Sequence, residues 1–162
     1  MLTLQKVTAD NVWPLLKLQV SPSQEDFVAT NTESLIEAYC ALSAGHWAVA
    51  LGIYANDLPV GFALLGYDRL DMDDPPVAQG NYCLWRLMID RRYQGHGYGR
   101  QAVKAVLDYL SAFPCGPAQA CWLSYEPANT AAKDLYFSLG FRENGQTCDG
   151  ELVAVYPFKS SH

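Results

Sequence analysis

The residues Gln94-Gly95-His96-Gly97-Tyr98-Gly99-Arg100 set three glycines at alternate positions, past the middle of a 162-residue chain. An apolar run, Leu84-Trp85-Arg86-Leu87-Met88-Ile89, precedes them. Residues 101–112 follow, with Ala102, Val103, Val106, Leu107 and Leu110 at helical spacing. The unit reads as strand, glycine-rich turn, helix. A helix that begins this way presents unpaired backbone N–H groups and the positive end of its dipole. Glycines let an anion come close to that backbone, so the chemistry implied is phosphate binding. A tight turn with no ligand satisfies the same pattern. Two other phosphate motifs fit worse. A P-loop ends in Gly-Lys-Ser/Thr, whereas Gly99 is followed by Arg100 and Gln101. A dinucleotide fingerprint needs Gly-x-Gly-x-x-Gly after an early strand.

The rest of the chain must position this turn. Residues 2–7 read as an edge strand and 47–55 and 58–67 as a hairpin turning at Asn56-Asp57. Thr8 or Asp10 can cap a short helix through Leu18, and Thr32 a longer one ended by Gly45. Residues 21–31 read as a loop or a broken helix, and the acidic stretch 68–80 as a loop. After the glycine-turn helix come a strand at 119–125 and a helix that Asn129 caps and Gly140 ends. Residues 141–150 read as a turn before a last strand at 151–158. The order predicts an α/β fold with a mixed, mostly antiparallel sheet and one right-handed parallel crossover at the glycine turn. A ligand belongs at the carboxyl end of the strand feeding that turn.

At this length one domain, 1–162, is expected. The 11 basic and 17 acidic residues give a net charge of −6, which argues against a nucleic-acid or membrane-surface binder and favours cationic or neutral partners. Five cysteines show no CxxC pair, no framework spacing and no His at metal-ligand spacing. They imply no metal and a reducing compartment, with Cys40, Cys83 and Cys121 as core thiols. With no signal-peptide pattern and no apolar run of transmembrane length, the expectation is a cytoplasmic protein.

Two stretches together resemble one family. Gln94-x-x-Gly97-x-Gly99 after a hydrophobic strand is similar to the acetyl-CoA pyrophosphate loop of the GCN5-related N-acetyltransferases (GNAT). Asn129-x-x-Ala132-x-x-Leu135-Tyr136-x-x-x-Gly140-Phe141 is similar to that family's second motif. Trp85-Arg86-Leu87-Met88-Ile89-Asp90, Tyr93-Gln94-Gly95, Ser124-Tyr125-Glu126-Pro127 and Gly150-Glu151 resemble its bacterial spermine/spermidine (diamine) branch.

The resemblance implies a GNAT fold and direct acetyl transfer from acetyl-CoA to an amine, with no metal. Backbone N–H groups of Gly95, His96, Gly97, Tyr98, Gly99 and Arg100 would surround the pyrophosphate, with Gln94 beginning the loop. His96 stands where the family usually has Lys or Arg, so either its imidazole or only its N–H serves. Arg100 would touch phosphate or lie in solvent. The strand residues Leu87, Met88 and Ile89 would pair with the pantetheine arm, and an N–H there would polarise the thioester carbonyl. Asn129 would cap its helix and bond the same arm. Tyr136 becomes the candidate general acid for the leaving thiolate. Trp85 replaces an acidic residue of several relatives, so the base is open. Glu126 is the first candidate and Asp90 the second, unless Asp90 caps its turn or no dedicated base exists. Glu25, Asp73 and Glu151, with Asp26, Asp71 and Asp74, border the acceptor cleft in this fold, and Trp85 would stack on an alkyl-ammonium chain. The expected partner is a small-molecule amine, preferably a polyamine. Alternatives are a protein N-terminus, a lysine, an aminoglycoside, or a non-catalytic acyl-CoA sensor. Family members often form homodimers.

Overall fold

The computed structural model describes residues 1–159. Among these residues seven strands form one sheet in the order β1-β2-β3-β4-β5-β7-β6. They are β1 Leu2–Lys6, β2 Trp47–Ala55, β3 Leu58–Tyr67, β4 Tyr82–Ile89, β5 Ala120–Tyr125, β6 Arg142–Cys148 and β7 Glu151–Pro157. Four α-helices among the described residues cover it: α1 Val12–Leu16, α2 Asn31–Ser43, α3 Tyr98–Ser111 and α4 Thr130–Ser138. Only β4 and β5 run parallel, joined by the α3 crossover. The α/β expectation therefore holds, as does the hairpin at Asn56-Asp57. There Asn56 takes a left-handed φ of 55°, which asparagine tolerates better than most residues. Among the described residues, no helix is long and apolar enough to cross a membrane.

The two faces of the sheet have separate cores. On one face Ala102, Val103, Val106, Leu107 and Leu110 of α3 pack on Leu51, Ala63, Leu65, Leu84 and Leu123, and α4 adds Ala132, Leu135 and Tyr136. On the other face α1 and α2 cover Ala48, Phe62, Leu64 and Met88. Buried Asn31 joins those two helices, its Nδ2 donating to the Leu15 carbonyl at 2.9 Å.

Five expectations need correction. Helix α1 has Asn11 at its N-cap position, not Thr8 or Asp10, and ends at Leu16 rather than Leu18. Helix α3 begins at Tyr98 rather than near residue 101, because Gly97 already serves as its left-handed N-cap. Helix α2 is capped by Thr30, whose Oγ1 accepts the Glu33 N–H at 3.1 Å, and Thr32 lies within the first turn. Residues 141–150 are not merely a turn, since β6 pairs with β7 across a two-residue hairpin at Asp149-Gly150. Both hairpin residues have positive φ, 47° and 79°, the requirement of a type I′ turn. Finally, Cys40 is exposed on α2, whereas Cys83 and Cys121 are buried.

Candidate active site

The β4–β5 pair opens the site. These strands are joined only at Tyr82↔Cys121 and Cys83↔Trp122. Beyond that point β4 stays paired with β3 through Gly61↔Ile89, while its other edge has no sheet neighbour. A bulge sharpens the opening: Leu64 faces Arg86 and Leu65 faces Leu84, so Trp85 is the extra residue. The bulge also resets the side-chain alternation. Leu84, Leu87 and Ile89 pack on the α3 side, and Trp85 and Met88 on the α2 side. An unbulged strand would have sent Leu84 and Met88 to the same face. The result is a cavity of about 940 Å³ that runs from the glycine turn to the β6–β7 hairpin.

Backbone builds the first end of this cavity. Gly95 and Gly97 have φ of 82° and 78°, the left-handed region that favours glycine. The first i→i−4 bond of α3 is Gln101 N–H to the Gly97 carbonyl, at 3.2 Å. The N–H groups of Tyr98, Gly99 and Arg100 ahead of it have no intrahelical acceptor, and all three residues line the cavity. Gln94, itself in the cavity wall, braces the turn, its Nε2 donating to the Ile89 carbonyl at 2.9 Å and to Gln24 Oε1 at 2.8 Å. Leu87, Met88 and Ile89 line the wall along the open edge of β4. Such an end can hold a phosphate group on the helix and an extended arm on the strand. Arg100 lines the cavity but donates through Nη1 to Ser138 Oγ at 2.6 Å. His96 is exposed beside the Tyr98 ring, 5.7 Å between centroids, and is not part of the cavity wall.

Helix α4 supplies the middle. Asn129 Oδ1 accepts the Ala132 N–H at 3.2 Å, and Asn129 also lines the cavity. The helix ends in a Schellman motif: Phe141 N–H donates to the Tyr136 carbonyl (3.1 Å) and Gly140 N–H to the Phe137 carbonyl (3.2 Å), with Gly140 at φ 107°. This turn buries Phe141, whose ring lies 5.6 Å from that of Tyr136. Tyr136 is thereby fixed in the cavity wall. Burial, and secondarily the nearby Cys121, pushes its phenol above the ordinary value. It remains a proton donor at neutral pH. The cavity cysteines are poor nucleophiles: burial pushes the Cys83 thiol up to about 12, and raises Cys148 as well.

Side chains build the rest of the wall. Nine carboxylates and three guanidiniums line the whole cavity. Glu25, Asp26, Glu33 and Glu37 come from the α1–α2 side. Asp71, Asp73 and Asp74 come from the β3–β4 connection, and Asp149 and Glu151 from the β6–β7 hairpin. Two of them have internal partners, Glu37 with Arg86 at 3.0 Å and Asp74 with Arg69 at 3.3 Å. Glu151 is held by Ser124, whose Oγ donates to its Oε1 at 2.7 Å. Such a wall attracts cations.

The structure therefore brings Glu25, Trp85, Asp73 and Glu151 into one cavity with Asn129 and Tyr136. It does not bring Glu126 there: that residue follows β5, outside the cavity wall. Asp90 is not placed as a base either. Burial alone would raise its carboxyl, but hydrogen bonds from the Arg92 side chain and backbone and from Gln19 N–H outweigh this and hold it low. It caps the Arg91–Tyr93 turn. Trp85 lines the cavity, yet its ring face is covered by the Arg69 guanidinium at 3.9 Å. Sequence reasoning missed Arg69, Arg86, Glu33, Glu37 and Asp149. Glu33 and Glu37 carried a signal, since an i, i+4 pair shares one helix face.

Comparison with known proteins agrees with this geometry. The acetyltransferase (GNAT) family profile matches residues 14–141. The spermine/spermidine N(1)-acetyltransferase of Bacillus subtilis (strain 168) is 32% identical over 157 residues, covering 95% of this chain and 97% of that protein. A probable spermine N(1)-acetyltransferase of Bacillus subtilis subsp. natto is 31% identical with the same coverage. In fold, the chain is similar to the aminoglycoside acetyltransferase AAC(6′)-Ib crystallised with coenzyme A, at a TM-score of 0.74, 17% identity and coverage of 97% and 95%. It is also similar to the PaiA N-acetyltransferase of Thermoplasma acidophilum with coenzyme A, at a TM-score of 0.66, 14% identity and coverage of 98% and 99%. A strand splayed from its parallel neighbour, a glycine turn feeding α3 and a matching profile over most of the chain lead to one conclusion: the protein belongs to the GNAT family and is an acetyl-CoA-dependent N-acetyltransferase.

Proposed function

We propose that this enzyme acetylates a primary amine of a polyamine, directly and within a ternary complex. The observation that carries the reading is the set of nine carboxylates lining the same cavity as the open edge of β4. The names of the two Bacillus relatives support the same acceptor class.

Acetyl-CoA supplies an acetyl group as a thioester. The N–H groups of Tyr98, Gly99 and Arg100 bind its pyrophosphate, and the free edge of β4 pairs with its pantetheine arm. A β4 N–H at Leu87 or Met88 polarises the carbonyl, so charge that develops on oxygen meets a fixed donor. Asn129 keeps its cap and steadies the arm. Glu151, held by Ser124, and the carboxylates around Glu25 and Asp73 hold the acceptor's ammonium groups. The reacting amine loses its proton to water beside Glu151. Its nitrogen then forms the C–N bond as the C–S bond breaks, Tyr136 gives its proton to the departing sulfur, and the second proton that the nitrogen sheds on becoming an amide returns through water to the Tyr136 phenolate.

Thiol release from acetyl-CoA tests this against putrescine, spermidine, spermine, an aminoglycoside and N-terminal peptides. Turnover highest with a polyamine is expected. A peptide or aminoglycoside turned over faster than every polyamine would replace this acceptor class with another.

A further inference from the structure

The indole face of Trp85 at the acceptor end is already taken by a cation of the protein itself. The Arg69 guanidinium lies 3.9 Å from the Trp85 ring centroid and 5.8 Å from that of Trp122. Its Nη2 pairs with Asp74 Oδ1 at 3.3 Å, and its Nη1 points at Cys83 Sγ, 3.7 Å away. This is an uncommon setting for arginine, since its side chain is 18% exposed and its carboxylate partner only 3%. The surroundings are built for it. Asp74 is fixed by a turn in which its Oδ2 accepts the Asp71 N–H (3.1 Å) and its own N–H donates to the Asp71 carbonyl (3.0 Å). The arginine stem lies against Gly66 of β3, where an added Cβ would come within 2.9 Å of Arg69 Cδ. An aromatic face, a buried carboxylate and a wall of further carboxylates are the elements of an alkyl-ammonium site.

We propose that Arg69 is a specificity-determining residue: its guanidinium fills the indole-lined cation subsite and so limits how long a polyamine the cavity accepts. The inference rests on the polyamine reading above and deepens it. A diamine engages the free carboxylates and leaves the subsite alone. A longer polyamine extends an additional ammonium that finds the Trp85–Asp74 position occupied by like charge.

The test combines turnover with binding. Arg69→Ala vacates the indole face and leaves Asp74 to receive a cation. It is expected to lower the KM for spermine relative to that for putrescine by about tenfold, with kcat little changed. Arg69→Ala/Asp74→Asn, which leaves no buried charge unpaired, should lose that gain. Arg69→Gln, if the alanine variant folds poorly, should move the ratio in the same direction. Methylguanidinium should bind Arg69→Ala in calorimetry, leave wild type untouched, and compete with spermine only in the variant. Equal changes for all acceptors, or no methylguanidinium binding by the folded variant, would overturn the assignment. Wild type that turns over none of these amines would sink the acceptor reading and the length limit with it. Methylguanidinium binding reads the subsite without any acceptor, so the two failures are told apart.

Discussion

The two ends of the cavity are made of different material. At the proposed cofactor end the groups on offer are backbone: N–H groups at the start of α3, the open edge of β4, and two glycines whose positive φ aims the turn. At the proposed acceptor end they are side chains from segments far apart in sequence, residues 69–74 and 149–151, with the carboxylates of 25–37 added along the α2 side of the same cavity. Backbone sites tolerate few substitutions where φ is positive and nearly any elsewhere. Side-chain sites can lose one charge and keep the rest. The lesson is that the first end should fail abruptly and the second by degrees.

The sharpest break is expected at Gly97. Nothing crowds its Cβ position closely, the nearest atom being Gln101 Nε2 at 4.0 Å, so space is not the constraint. A φ of 78° is, and a β-branched residue there is a conformational outlier. Gly97→Val should weaken acetyl-CoA binding about 100-fold or more, because the three helix N–H groups are no longer aimed together. Calorimetry on variant protein with an unchanged circular dichroism spectrum checks it. Retained affinity would contradict the backbone account of this end.

Tyr136→Phe comes next. It removes one proton donor and leaves the Schellman turn intact, so kcat should fall about 10- to 100-fold while the affinity for acetyl-CoA holds. The pH dependence has a definite sign. Since burial raises the phenol, the protonated, donating form persists through the ordinary tyrosine range and is lost only above it. The kcat of wild type should therefore not decline between pH 8 and about 10. A falling limb centred below pH 9 would assign the acid to another group.

Glu151→Gln should be milder. One hydrogen-bonded carboxylate goes, but Ser124 can still bond the amide oxygen and the other acidic residues remain. The acceptor KM should rise about fivefold and the KM for acetyl-CoA should stay put. Equal rises in both constants would show that the two ends are not separable.

The same contrast explains what could be read from the chain. The glycine turn, α3 and α4 are contiguous motifs with helical periodicity, so the turn at Gln94–Arg100, the Asn129 cap, the Gly140 end of α4 and the place of Tyr136 on that helix were legible, although His96 lies outside the cavity wall. The bulge at Trp85 was not, because a bulge depends on the pairing of β3 with β4 and leaves the apolar run unchanged. Strand β6 escaped for a different reason. It is an edge strand of polar residues with Gly145 inside, so it shows no alternation, although Asp149-Gly150 was a hairpin signal. Glu126 followed a strand that does reach the site, but sequence position alone could not tell that the cavity wall ends at Tyr125 on that strand. Arg69 looked like one residue of a polar loop, and only the fold brings it over Trp85.

The smallest effect is expected at a glycine that the motif shares with Gly97. Gly99 lies inside α3 and is absent from the positive-φ residues, so alanine suits its backbone. A Cβ there would meet Leu135 Cδ2 at 3.6 Å and Ile89 Cγ1 at 4.0 Å, ordinary contact distances. The Gly99 N–H, which the proposed reading turns toward the pyrophosphate, is kept by alanine. Gly99→Ala should therefore change the Kd for acetyl-CoA less than about twofold, and the higher helix propensity of alanine should raise Tm slightly. A loss approaching that of Gly97→Val would mean that the ligand itself packs against the Gly99 Cα. The cofactor end would then be shaped by close approach along the whole motif, and not by the conformation of Gly95 and Gly97 alone.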